Sequence, residues 1–330
     1  MADLQAGKMS ENAAAGGVPP RSPAGKAFRS TTHPSRLVPG LPLTLGYTLF
    51  YLSVLVLIPL AGMVFKSAQL SRAEFWQTVT DPIVVASFRL TFTASAIAAA
   101  VNGVFGLIVA WVLVREPFPG RRLFDALIDF PFALPTAVAG LTFSSLYLTD
   151  GWIGGLGRHV AGFINWGAEL AGFGEVWSAN ALSWLSFPYS NTNAGIVLVL
   201  IFVGLPFVVR TVQPVLRDWD TEYEHAALSL GANRSTIFRR VILPEILPAW
   251  LSGLALAFAR AIGEYGSVIF IAGNIPGKSQ IAPLQIVTKL DDFRYSQATA
   301  IGIVLLFFSL LVLLAINGLE WWMGRRERPT

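Results

Sequence analysis

Six runs of mainly apolar residues, each long enough to cross a hydrocarbon core about 30 Å thick as a helix, constrain this chain more than anything else in it. They fall at 42–65, 90–114, 123–148, 194–213, 246–272 and 297–320. Backbone groups in lipid must be satisfied within a segment or in a closed barrel. The period-2 alternation of barrel strands is absent, so the expected fold is all-α, a polytopic membrane protein with six transmembrane helices. A composition of 54% hydrophobic and only 13% charged residues sets the chain apart from an average soluble domain.

Lys and Arg orient the spans. The amino-terminal tail, the 115–122 loop, the 210–245 loop and the carboxyl tail together hold 16 basic residues, and the opposite side holds seven. An even number of spans with this bias predicts both termini and the 210–245 loop in the cytoplasm, N-in and C-in. The net charge of +4 is then a topology signal, and no nucleic-acid partner is expected. Residues 1–40, rich in Gly, Pro, Ala and Ser, are expected to form a disordered cytoplasmic tail, with the transmembrane domain at 41–324 and a basic tail at 325–330. No apolar secretory core precedes Leu41. The long outward loop, 149–193, carries Trp152, Trp166, Trp177 and Trp184 and is expected to be a landing surface for an extracytoplasmic partner or a structural loop anchored at the interface.

The cytoplasmic loop at about 214–245 is more elaborate than a turn requires. Thr221 to Glu224 has the form of a capping box, so a helix is expected from about 222, ending at Gly231. Asn233 is placed to cap a second helix, which is expected to break at Leu243-Pro244. A helix, a glycine and a second helix make a low-relief knob on which another protein can dock, Ala226 and Ala227 allowing close approach.

Other constellations are weaker. Arg260 and Glu264, spaced i, i+4 within an apolar run, are expected to pair, as a structural ion pair or as part of an anion pathway. Asn102, Thr136, Ser144, Ser145 and Ser267 are candidates for a wet pathway or for interhelical hydrogen bonds. Small residues recur every fourth position at Ala249, Gly253, Ala257 and Ala261, and at Ala94, Ala98, Gly106 and Ala110, with Asn102 in register. Such stripes permit close helix packing. Pro131 and Pro135 interrupt the third run, where a kink is expected. Ala272 to Ser279 satisfies a relaxed phosphate-loop pattern but follows a membrane run, so nucleotide binding is not expected. The chain has no cysteine and three scattered histidines, His33, His159 and His225. Neither a catalytic nor a metal constellation nor a cofactor site is expected, and a membrane enzyme or a filter-bearing channel is disfavoured. An ATP-independent secondary transporter fits the spans but leaves the capped loop unexplained.

The loop resembles the signature of permease subunits of ATP-binding-cassette importers, Glu-Ala-Ala, three residues, Gly, nine residues, Ile-x-Leu-Pro. The matching residues are Ala226, Ala227, Gly231, Val241, Leu243 and Pro244, while the signature glutamate falls on His225 with Glu224 just before it. Residues 130–141, 204–214, 258–274 and 281–290 are similar to sulfate/thiosulfate importer permeases of the T type, a resemblance covering about 42–322. It implies a type I importer permease fold with no enzymatic activity of its own, in a bacterial inner membrane. The implied partners are two copies of a cytoplasmic ATPase docking on Glu224, His225 and their neighbours, a related second permease, and an extracytoplasmic sulfate-binding protein. A molybdate or other oxyanion importer is the alternative within the class. The segment 165–183 is longer than the family pattern.

Overall fold

The computed structural model describes residues 41–148, 151–156, 159–160 and 190–326, and they fold into helices joined by short connections. The chain divides into two compact units, Met1–Val56 and Leu57–Thr330, and the first helix, α1 (Leu41–Ser67), runs across that boundary. Among the described residues five helical stretches are long and apolar enough to cross a membrane: Leu43–Ser67, Pro82–Arg115, Asn193–Asp218, Arg234–Ile262 and Tyr295–Gly318. The expected tail at 1–40, most of the 149–193 loop and the 165–183 segment lie outside the described residues.

After the short helix α2 (Arg72–Val79), the second membrane-length helix, α3 (Pro82–Arg115), starts eight residues earlier than its apolar run. The Asp81 carboxylate accepts a 2.8 Å bond from the Ile83 amide, and Pro82 occupies the first turn, where its missing donor costs nothing.

The expected span at 123–148 is not one helix. It is three helices in series, α4 (Arg121–Ile128), α5 (Phe130–Ala133) and α6 (Thr136–Tyr147). Pro131 occupies the first turn of α5 and Pro135 immediately precedes α6 in a non-helical conformation, with Leu134 before it extended. A proline ring disfavours the helical region for the preceding residue, so the break falls where the sequence placed a kink, only deeper.

The third membrane-length helix, α7 (Asn193–Asp218), is the axis of the fold, with Thr192 accepting from the Gly195 amide at 3.2 Å to cap it. Then come α8 (Glu222–Ser229), α9 (Arg234–Ile237), a π-helical segment (Phe238–Ile242) and α10 (Leu243–Ile262). The chain closes with α11 (Val268–Ile271), α12 (Ala282–Asp291) and α13 (Tyr295–Arg326).

Helices α3, α7 and α10 pack against one another, and α13 lies against α10, α12 and α2. The small-residue stripes are what bring the central three together. Gly106 lets α3 meet Val208, Gly253 lets α10 meet Val208 and Thr211, and Gly204 of α7 faces Asn102 and Ala257; a Cβ at any of the three glycines would clash. Ala94, Ala98, Ala110, Ala257 and Ala261 are buried in the same interfaces. One buried cluster gathers Ile196, Val199, Val268 and Ile271, and a second gathers Val208, Val212, Ile237, Ile242 and Ile246. Large apolar side chains elsewhere, such as Phe307, Leu310 and Leu314 of α13, are exposed, as suits a surface solvated by lipid or by another apolar chain.

Two expectations about α10 are corrected. The run at 246–272 is not one helix: α10 ends at Gly263, and a turn at 263–267 separates it from α11. There is also no break at Leu243-Pro244. The Leu243 amide reaches back five residues to the Phe238 carbonyl, and this widened turn absorbs the proline, so the helix runs on from Arg234 to Ile262.

Candidate functional site

The loop between α7 and α10 folds as a discrete knob. Its first helix starts at 222 as expected, but the capping box is not formed. Thr221 has a helical backbone conformation and its side chain caps nothing, and the Glu222 amide is instead satisfied by the Asp220 carboxylate at 2.9 Å. Glu224, the other half of the expected box, is turned elsewhere, onto Arg115 of α3 at 2.8 Å.

The stop at Gly231 is as expected. Gly231 sits at φ +83°, its amide bonds the Leu228 carbonyl at 2.9 Å, and the Ala232 amide bonds the Ala227 carbonyl at 3.1 Å. That pair of bonds is a Schellman termination, which needs a residue free to adopt the left-handed region. Asn233 then caps α9, its Oδ1 accepting from the Thr236 amide at 2.8 Å and from the Thr236 hydroxyl at 2.8 Å.

The signature positions divide between two faces. Ala227, Val241 and Leu243 are half-buried against the cluster that contains Val212, Ile237 and Ile246. Pro244 is half-buried at the start of α10. His225 and Ala226 are exposed. Around them stand three apolar side chains that sequence reading passed over: Tyr223 at 62% exposure, Leu228 at 50% and Leu230 at 89%. Exposed leucines in a polar loop were the available signal, obscured because the loop was read for its caps. A cleft of 740 Å³ lined by Val215, Asp218, Trp219, Asp220, Tyr223 and Glu245 opens beside the helix.

Sequence reading also missed the polar cluster at the base of the loop. Arg210 of α7 clamps Asp129 with two bonds, Nε to Oδ1 at 2.7 Å and Nη2 to Oδ2 at 2.6 Å. Its Nη1 donates to Asp125 Oδ1 at 2.8 Å and to Gln213 Oε1 at 2.6 Å, and Nη2 also donates to the Asp125 carbonyl at 2.7 Å. Gln213 Nε2 closes the ring on Asp125 at 3.0 Å. A planar guanidinium facing two carboxylates is the strongest geometry such a contact can have. It ties the proline-broken segment, α4 to α5, to the axis of the fold.

In the interior, Arg260 and Glu264 do pair, although Glu264 lies just past the end of α10 rather than within it. Glu264 is buried, and its other oxygen accepts from the Ser267 amide at 2.9 Å and hydroxyl at 2.7 Å. Thr136 meets Gly266 where α6 crosses this turn, and Gly140 lies on the Ser267 backbone with no room for a Cβ. Four of the five interior candidates, Arg260, Glu264, Ser267 and Thr136, thus meet at one turn. Asn102 does not join them: it is buried between α3, α7 and α10, with both side-chain polar atoms unpartnered. Ser144 shares a 3.0 Å bond with Ser190, and the Ser145 hydroxyl is spent on the Thr142 carbonyl at 2.9 Å. The phosphate-loop-like stretch follows a helix, and its Lys278 and Ser279 amides both close turns onto the Ile275 carbonyl at 3.0 Å.

Helices long and apolar enough to cross a membrane, two of them joined by a loop that folds into its own helical knob with exposed apolar side chains, define a polytopic membrane protein. Residues 102–329 match the family model of the binding-protein-dependent transport system inner membrane component, and the chain belongs to that family. It is 45% identical to the sulfate transport system permease protein CysT of Salmonella typhimurium, over 88% of this chain and 96% of that one. It is 46% identical to the protein of the same name in Synechococcus elongatus, over 84% of this chain and 91% of that one. Among solved structures, a bacterial alginate ABC transporter in complex with an alginate-bound periplasmic protein contains a chain of the same fold. Its TM-score is 0.64 at 18% identity, covering 85% of this chain and 93% of that one.

Proposed function

We propose that this chain is the permease subunit of an ATP-binding-cassette importer that carries sulfate across a bacterial inner membrane. The observation that carries the reading is 45% identity to a sulfate permease sustained over almost the whole of both chains. ATP is hydrolysed by a separate cytoplasmic subunit, two copies of which dock on the 222–231 knobs of this chain and of a related second permease. An extracytoplasmic binding protein delivers the anion, and thiosulfate shares the route. Six crossings with both termini inside follow if α4 to α6 together make the crossing that no single one of them can.

The exposed face of α8, with Tyr223, His225, Ala226 and Leu230, is the surface for the ATPase, and the half-buried face with Ala227 rests on the permease. Displacement of the knob passes directly into α10, because the helix is unbroken from Arg234 to Ile262. We read Arg260, Glu264 and Ser267 as the anchor of the turn that ends this rod. A paired, three-donor carboxylate adds no free negative charge to an anion's path, so a dianion is not repelled.

The test is uptake of radiolabelled sulfate in cells lacking their own importer, supplied with this chain, an ATPase, a second permease and a binding protein. Uptake should vanish when this chain is omitted and be competed by thiosulfate. ATP-dependent uptake of molybdate but not sulfate would replace the substrate, and uptake without any ATPase would overturn the reading.

A further inference from the structure

Glu224 occupies an unexpected place for a residue on a docking helix. Its carboxylate points back into its own chain, to Nη2 of Arg115, the last residue of α3, at 2.8 Å, and the two side chains are only 23% and 17% exposed. The Arg115 guanidinium stacks on the Trp111 ring at 5.3 Å, and Trp111 meets Phe238, the first residue of the π segment, edge to face at 5.7 Å. Carboxylate, guanidinium, indole and phenyl therefore form one row, running from α8 through the end of α3 to the start of the rod that enters the membrane. Glu224, Trp111 and Phe238 border a cleft of 320 Å³, lined also by Ile237 and Ile242.

The ion pair is close but not aligned. Arg115 Nε and Nη2 and Glu224 Oε1 are buried without a properly directed hydrogen bond. A shielded pair that has charge matching but not hydrogen-bond geometry is held by proximity and is sensitive to small rotations of either helix.

We propose that Glu224 and Arg115 form an intrasubunit strut that carries displacement of the docking helix into α3, and that Glu224 makes no contact with the ATPase. The inference rests on the docking role given to α8 above. Two loads then leave the knob, one through the backbone into α10 and one through the strut into α3. Since α3 and α10 pack on each other and on α7, the strut gives the knob a second, direct link into the same three-helix core. The contacts left for the ATPase are the outward ones, with His225 at the position of the signature glutamate.

The experiment uses the whole importer in proteoliposomes and measures three quantities on each sample: ATPase retained by the permease, ATP hydrolysed, and sulfate taken up. Glu224→Gln and Arg115→Gln should each retain the ATPase and hydrolyse ATP while moving roughly three- to tenfold less sulfate per ATP, the range of a single coupled pair. The exchange Glu224→Arg with Arg115→Glu should recover most of that ratio. Leu230→Asp should instead release the ATPase. Loss of the ATPase in Glu224→Gln would overturn the proposal, because it would make Glu224 an intersubunit contact. So would an unchanged ratio in both single variants, or an assembled exchange variant no better than either. If the unaltered complex hydrolyses ATP but moves no sulfate, the substrate reading fails, and retention of the ATPase by Glu224→Gln against its release by Leu230→Asp still decides where Glu224 points.

Discussion

At φ +83° Gly231 occupies a region in which a side chain costs roughly 1–2 kcal/mol, yet nothing lies within contact distance of where a Cβ would stand. The two facts separate backbone strain from crowding. Gly231→Ala should therefore leave insertion and assembly intact, destabilise the knob by about 1 kcal/mol, and lower transport per ATP modestly. Gly231→Pro, which forbids the conformation outright and removes the amide bonded to Leu228, should uncouple hydrolysis from transport. Comparing the two variants in the same uptake and hydrolysis measurements checks the assignment; equal and normal transport in both would remove Gly231 from the coupling path. This glycine was legible because its role is local: a stop signal seven residues after the expected capping box needs no knowledge of the rest of the fold. Arg115 was not, since its partner lies 109 positions away and its charge was already explained as a topology signal.

Elements were legible where the length of an apolar run decided them and obscure where proline did. All five membrane-length stretches overlap expected runs, because a long apolar run has few alternatives in lipid. The 123–148 run was misjudged in length of order, not in place: its composition is apolar enough for one helix, but Pro131 and Pro135 act on the backbone rather than through hydropathy. At Leu243-Pro244 the error had the opposite sign, as a π turn absorbed a proline that was expected to break the helix. The segmented α4 to α6 would have little to fix it without the Arg210 clamp. Arg210→Lys keeps the charge but cannot hold Asp129 with two parallel bonds while reaching Asp125. A loss of roughly 1–3 kcal/mol is expected. It should appear as a lower thermal midpoint of the detergent-solubilised complex and as faster proteolysis within 121–135, with α8 still able to hold the ATPase. An unchanged midpoint and cleavage pattern would show that α4 and α5 are held by other means.

At the scale of the molecule, orientation is the property most exposed to test. The natural chain has no cysteine, so each introduced one is the sole target for a membrane-impermeant thiol reagent. Leu230→Cys and Ser10→Cys should both react only from the cytoplasmic side, and Lys278→Cys only from the other. Reaction of Leu230→Cys from outside would invert the topology and remove the ATPase surface with it. What the sequence could not supply at this scale was convergence. The i, i+4 spacing foretold the Arg260–Glu264 pair, but nothing along the chain says that Thr136 arrives at the same turn, or that Asn102 is sealed between three helices instead.

The unbroken helical stretch from Arg234 to Ile262 has one more implication. At 29 residues it is about 43 Å long, so one end begins at the docking knob and the other reaches the turn anchored by Glu264. A stiff rod has no preferred direction. If nucleotide binding at the near end shifts the equilibrium at the far end by some free energy, then occupancy of the far end must shift nucleotide affinity by the same amount. On the proposed function, a binding protein whose docking biases that turn should therefore be felt as tighter or weaker ATP binding at the partner subunit, before any anion has crossed.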